Sequence, residues 1–124
     1  MAKPGRFSHL IPSFKLDVLI AMKVMPIKPD NMPAIQRALV LNAYTTGEGL
    51  GVPRYSFDMG AAGALLGYIS GSNFRITIHS PSCYSDWEVT FTDANPMGET
   101  FKVKSASLPH AICLAALMAK RVQL

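Results

Sequence analysis

The sequence predicts an α+β fold in which three strands form an antiparallel meander and helices pack against it. Three observations predict this class. Apolar residues recur at helical spacing in residues 14–25 and again after residue 107. Between residues 74 and 104 they alternate with polar residues in three short segments. A third helical segment, residues 59–69, is almost wholly apolar or small. The predicted order is helix, short helix, helix, three strands, helix.

The first helix is predicted over residues 14–25, with Ser13 as its N-cap and Pro26 as its stop. Residues 26–55 carry a weaker pattern. Asn31 and Pro33 favour a short helix that runs through Asn42. Residues 45–51 have the composition of a flexible loop.

The helix over residues 59–69 is predicted to begin after Ser56, its expected N-cap, with the carboxylate of Asp58 in the positive first turn. Three glycines lie at spacings of three and four along it: Gly60, Gly63 and Gly67. Such a stripe presents a flat surface, so we expect another backbone to pack closely against it.

Three strands follow, each with apolar residues at every second position and turn residues between them. Because the turns are short, an antiparallel meander with one apolar and one polar face is expected. The apolar positions are Phe74, Ile76 and Ile78, then Trp87, Val89 and Phe91, then Phe101 and Val103. The last helix is predicted to begin at Ser107 as N-cap, with Pro109 in its first turn.

Length and composition describe one domain. The chain has 124 residues, of which 49% are hydrophobic and 16% charged, and this excludes a mostly disordered protein. We expect an irregular arm at residues 1–13 and a single α+β domain at residues 14–124. A charged share this low indicates either oligomerisation or a surface that is otherwise covered, and a homo-oligomer is expected.

Cysteine content and hydropathy predict the compartment. Two cysteines, Cys83 and Cys113, do not make a disulfide framework, so a reduced protein of the cytoplasm is expected. No apolar run approaches the roughly 20 residues that cross a bilayer, so no membrane partner is expected.

Four segments of the chain carry a resemblance to known proteins. They are residues 16–25 (LDVLIAMKVM), residues 53–62 (PRYSFDMGAA), the strand Trp87-x-Val89-x-Phe91, and residues 107–117 (SLPHAICLAAL). Together they resemble the phage α/β/α (ABA) sandwich domain of small bacteriophage proteins, in the family's order and over residues 16–120. The chain departs from the family at Pro26 and Ile27, where the family has Gly-Trp, at Gly63, where it has Trp, and at Leu114, where it has Arg.

The resemblance implies a phage or prophage gene of accessory type, with helices on both sides of the sheet. It supplies no catalytic residues. The residues themselves point the same way, since no nucleophile lies in a recognisable local signature and no histidine has a second strong ligand at metal spacing. A non-enzymatic protein without cofactor or metal is therefore expected.

Candidate binding residues lie on the polar face of the predicted sheet. Arg75, His79, Lys102 and Lys104 are the expected contacts to an anion, and Arg54 and Tyr55 are expected at the rim of the same site. The alternative is a solvated face on which Glu88 pairs with a lysine or arginine across the strands.

A phosphate site is a weaker possibility. Gly47-x-Gly49-x-Gly51, followed by Arg54 and a helix N-terminus, has glycines that could cradle a phosphate. The glycines do not join a strand directly to a helix, however, and Asp58 would repel an anion at that helix end. A plain loop is therefore the preferred interpretation.

These observations lead to one expected function and two alternatives. The expected function is a phage-encoded protein that binds or sequesters a host component, either a defence protein or its anionic nucleotide signal. The net charge of +4 leaves nucleic-acid binding open, with affinity that falls as salt rises. The glycine stripe leaves a structural homo-oligomer open.

Overall fold

The computed structural model describes residues 11–25, 27–28, 30–40, 51–71, 74–80, 86–95 and 98–120. Along these residues the chain forms three helices, three strands and a final helix, so the predicted α+β class and element order are confirmed. Within the described residues, no helix combines the length and the apolar character needed to span a membrane. Residues 1–10 of the predicted arm lie outside the described residues.

Helix α1, Phe14–Leu19, continues without a break as a π-helical segment, Ile20–Val24. The predicted N-cap is confirmed, because the Ser13 hydroxyl accepts a hydrogen bond from the Leu16 N–H at 3.2 Å. The N–H of Met25 donates to the Ile20 carbonyl, five residues earlier, at 2.8 Å, which is the π-helical pattern. The predicted stop, Pro26, lies outside the described residues.

Helix α2, Met32–Val40, is the predicted short helix. Pro33 lies in its first turn, where backbone N–H groups have no acceptor within the helix. The N–H that proline lacks would therefore not have made a helical hydrogen bond. Ile35 is fully buried and joins the hydrophobic core. The predicted end at Asn42 is outside the described residues.

Helix α3, Met59–Ser70, corrects two predictions. Its N-cap is Asp58, whose carboxylate accepts from the Ala61 N–H at 3.0 Å, and not Ser56. The glycine stripe faces away from the core. A Cβ built on Gly63 or Gly67 meets no atom within 4 Å, so no backbone among the described residues packs against this side. The buried side of α3 is formed by Ala62, Leu65 and Ile69.

The predicted meander is confirmed. Strand β1, Phe74–His79, pairs with β2, Trp87–Asp93, which pairs in turn with β3, Thr100–Ser105, and both pairings are antiparallel. Successive side chains of a strand point to opposite faces, so the register divides the sheet into an apolar inner face and a polar face. On the inner face, Val89 and Phe91 of the central strand are fully buried.

Helix α4, Leu108–Ala119, packs on the inner face against β2 and β3, and also against α3 and the π-helical segment. Ser107 is its N-cap residue, as predicted, with Pro109 in the first turn. Nearly every side chain of α4 is buried, which explains why its sequence is apolar on all sides rather than along one stripe.

Candidate functional site

The polar face of the sheet, called here the outer face, is formed by the side chains that alternate with the core residues. It consists of Arg75, Thr77 and His79 of β1, Glu88, Thr90 and Thr92 of β2, and Thr100, Lys102 and Lys104 of β3. The register places them in three rows across the strands. Neighbours within a row are about 5 Å apart, and successive rows are about 7 Å apart.

The structure brings the four predicted anion contacts together on this face. The row at one end of the strands contains Arg75. The row at the opposite end contains His79, Glu88 and Lys104. Lys102 lies in the row between them. These four side chains are exposed to solvent and are available to a partner.

The outer face carries a net positive charge. It holds three permanent cations, Arg75, Lys102 and Lys104, and one carboxylate, Glu88, so its net charge is positive even with His79 neutral. The Nζ atoms of Lys102 and Lys104 lie 3.8 Å and 3.7 Å from the two oxygens of Glu88. These separations exceed hydrogen-bond length, so the ammonium groups retain their donors for other acceptors.

The cross-strand pairing of Glu88 with lysine, which the sequence left as an alternative, is therefore present together with the open basic surface. The lysine side chains are 58% and 65% exposed, whereas that of Glu88 is 23% exposed. Ion pairs between exposed groups contribute only about 0–1 kcal/mol to stability. The two lysines are consequently held near the carboxylate by weak forces that a partner can rearrange.

No helix among the described residues covers the outer face. The side chains that β1 and β3 contribute to this face are exposed. Helix α4 contacts β2 and β3, and the buried side chains of β2, Val89 and Phe91, lie on the opposite, inner face. The resemblance to a sandwich implies helices on both sides, and in the described part of the chain this second layer is not observed.

Arg54 and Tyr55 do not form a rim of the outer face, and that prediction is corrected. Tyr55 is 2% exposed and belongs to the hydrophobic core, which lies on the inner side of the sheet. The Nε of Arg54 is buried, and its guanidinium carbon lies 5.3 Å from the centre of the Phe57 ring. Both residues belong to the segment that leads into α3.

This segment is tied to α1 by a buried polar network that the sequence did not predict. One carboxylate oxygen of Asp17, Oδ1, accepts from the backbone N–H of Ser56 at 2.7 Å and from its hydroxyl at 2.6 Å. The Ser56 hydroxyl in turn accepts from the backbone N–H of Ser13 at 3.0 Å. Asp17 and Ser56 are both fully buried. These contacts are called the Asp17 network below.

Burial dominates the electrostatics of the Asp17 network. Desolvation raises the pKa of Asp17 above its ordinary value of 3.8, although the hydrogen bonds from Ser56 and the charge of Arg54 act to lower it. Burial also raises the pKa of Tyr55, and the nearby thiol of Cys113 and carboxylate of Asp17 raise it further. The pKa of the Cys113 thiol is likewise raised well above its ordinary value, first by burial and then by Asp17.

The sequence carries one local signal for the Asp17 network. Asp17 occurs three residues before Ile20 and seven before Val24, so it shares the buried side of the helix with them. A carboxylate on an apolar helix side requires a hydrogen-bonding partner, because an unpaired buried charge is strongly unfavourable. Which residue supplies that partner could not be predicted, since Ser56 is 39 positions away in the chain.

The structure gives no support to the phosphate loop. Gly47 and Gly49 lie outside the described residues, and Gly51 adopts a left-handed backbone conformation with a φ of 80°. At the N-terminus of α3, the Asp58 carboxylate already accepts from the backbone, as the sequence suggested. An anion would meet a negative charge there.

Comparisons of the chain with protein-family models, with curated proteins and with solved structures gave no match. The outer face and the Asp17 network are therefore the two features from which a function can be inferred. The network is buried and connects two elements of the fold, whereas the outer face is open to solvent.

Proposed function

We propose that this chain is a non-enzymatic binding protein whose outer face binds an acidic surface of a partner protein. The observation that carries the proposal is the open, net positive face on which Arg75, Lys102 and Lys104 remain exposed. Following the resemblance to phage accessory proteins, the partner is a host protein, and binding blocks or sequesters it.

The shape of the face favours a protein over a small nucleotide. Small ligands are usually held in concave sites that bury 70–90% or more of their surface. One face of a three-stranded sheet offers side chains in rows and no enclosing walls, so a nucleotide would remain largely hydrated. A protein partner compensates by extending over the whole face, where three cations and four threonine hydroxyls can act together.

Charge on such a face acts mainly on recognition and on the rate of association. Complementary surfaces steer the encounter of two proteins, and this steering weakens as salt is added. Binding should therefore be faster at low ionic strength and lose rate as salt rises.

The proposal is tested by reversing the charge of the two lysines. Lys102→Glu with Lys104→Glu changes the net charge by four and should reduce partner binding by about tenfold or more. The matched control is Lys15→Glu with Lys23→Glu, since both lysines are exposed on α1 and its π-helical continuation and the change in net charge is the same.

The assay uses immobilised protein exposed to a bacterial host lysate, followed by biosensor measurements with each purified candidate. A partner of the outer face is retained by the wild type and by the control but lost from the Lys102/Lys104 variant. Equal retention by both double variants would contradict the proposal.

Nucleic-acid binding through the same residues is the second candidate. The four threonines and three cations of the outer face suit contacts to phosphate oxygens. The nine side chains of the face include no phenylalanine, tyrosine or tryptophan, and stacking on such rings is a main source of affinity for single strands. A salt titration with duplex and single-stranded DNA separates the candidates, because phosphate contacts make log affinity fall linearly with log salt.

A further inference from the structure

Glu88 occupies a distinctive place on the outer face. It is the one carboxylate among the nine side chains and lies on the central strand, in register with His79 on one side and Lys104 on the other. Its oxygens lie 3.8 Å and 3.7 Å from the ammonium groups of Lys102 and Lys104. Any group that contacts both lysines therefore also approaches the negative charge of Glu88.

This arrangement affects a polyanion and a protein differently. Duplex DNA carries one negative charge per roughly 1.7 Å of its axis, so a nucleic acid lying over the lysines brings phosphates close to Glu88 as well. A protein surface presents its charges at separate positions. It can place carboxylates over Arg75 and the lysines and a hydrogen-bond donor over Glu88. Repulsion of the wrong partner is a recognised source of specificity.

We propose that Glu88 is a specificity-determining residue of the outer face, which favours a protein surface that combines acidic groups with a donor opposite Glu88 and disfavours nucleic acid. This inference rests on the proposed function, because it assigns the partner class of the same surface. It adds that the partner carries a lysine, arginine or other donor opposite Glu88, beside the acidic groups that face Lys102 and Lys104.

The size of the effect follows from the charge removed. A unit charge about 7 Å from a phosphate, in water, changes affinity about threefold. Glu88→Gln should therefore bind DNA about threefold more tightly than the wild type. Glu88→Lys, which changes the charge by two, should bind about tenfold more tightly. The additional lysine should also steepen the slope of log affinity against log salt by about 0.9, the value for one phosphate contact on duplex DNA.

The experiment measures fluorescence anisotropy of labelled duplex and oligo-dT probes, each of about 20 nucleotides per strand, between about 50 and 200 mM salt. Asp30→Asn and Asp30→Lys are the matched controls, because Asp30 is exposed before α2 and the charge changes are identical. Glu88 is half-buried and its ion pairs are with exposed lysines, which contribute little to stability, so its variants should fold, which circular dichroism verifies.

Tighter DNA binding by the Glu88 variants, with little change in the Asp30 variants, supports the inference. Equal changes at both positions, or no gain at Glu88, overturn it. On a purified protein partner, Glu88→Gln should instead weaken binding about threefold, and stronger binding overturns the donor assignment. The proposed function fails separately, through unchanged partner binding by the Lys102/Lys104 variant.

Discussion

Replacing Ser56 by alanine should destabilise this protein far more than removal of a hydroxyl usually does. Ser56 is fully buried, and its hydroxyl lies between two partners. It donates to Asp17 Oδ1 at 2.6 Å and accepts from the Ser13 N–H at 3.0 Å. Because the site is closed to solvent, water is not available to replace the lost group.

The magnitude follows from those two bonds. A hydrogen bond to a charged group contributes about 1.5–3 kcal/mol, and a neutral one about 0.5–1.5 kcal/mol. The Ser56→Ala variant loses one of each, so the free energy of unfolding should fall by about 2–4 kcal/mol. Natural domains have a total stability of only about 5–15 kcal/mol, which makes this a large effect.

The assay is urea unfolding followed by the fluorescence of Trp87, the single tryptophan of the chain. With an m-value of about 2 kcal/mol/M, the midpoint should fall by about 1–2 M. Ser70→Ala is the matched control. The Ser70 hydroxyl donates to the Gly67 carbonyl at 3.0 Å in an exposed position, so its loss should change stability by no more than about 0.5 kcal/mol.

A second comparison tests whether the charge of Asp17 matters. In an Asp17→Asn background the acceptor is neutral, so the same Ser56→Ala change should cost less than it does in the wild type. Equal losses for Ser56→Ala and Ser70→Ala, each below about 0.5 kcal/mol, would refute the role of the Asp17 network in joining α1 to the segment before α3.

Three further predictions concern titration, thiol reactivity and the exposed side of α3. Folding raises the pKa of Asp17, so the protonated carboxyl group favours the folded state. This contribution to the free energy of unfolding is complete below pH 3.8 and is lost as the pH rises through the pKa that Asp17 has in the folded protein. The stability difference between wild type and Asp17→Asn, from urea melts at several pH values, should shrink over that window; a constant difference would contradict it. In a Cys83→Ser background, Cys113 should react with a thiol reagent only upon unfolding, since it is buried and its pKa is well above normal; prompt labelling of the folded protein would disprove this. Gly63→Ala and Gly67→Ala should each raise stability by up to about 1 kcal/mol, because the added methyl groups meet open space. If the glycine stripe instead joins two copies, Gly63→Leu should lower the mass measured by light scattering.

Much of the fold could be predicted because its signals are local. The alternation in Trp87-x-Val89-x-Phe91 requires a strand with one buried face, and the paired segments confirm it. Ser13 and Ser107 were correctly placed at the starts of α1 and α4. The three cations and the histidine of the outer face were also found from alternation, since every second residue of a strand shares a face.

The errors arose where two local signals competed. Ser56 and Asp58 are both good N-cap residues, two positions apart, and the structure selects Asp58. The buried carboxylate of Asp17 takes the Ser56 hydroxyl and backbone N–H. Arg54 and Tyr55 immediately precede Ser56, and Tyr55 lies in the core and not at the rim of the outer face.

The sequence by itself determined the helices, the strands and the two-sided character of the sheet, because periods of 3.6 and 2 residues are properties of neighbouring positions. Only the tertiary structure decided which polar groups are buried together. The Asp17 network joins residues 39 and 43 positions apart, and no local pattern specifies such a contact. The openness of the outer face was decided in the same way, since it depends on where distant helices pack.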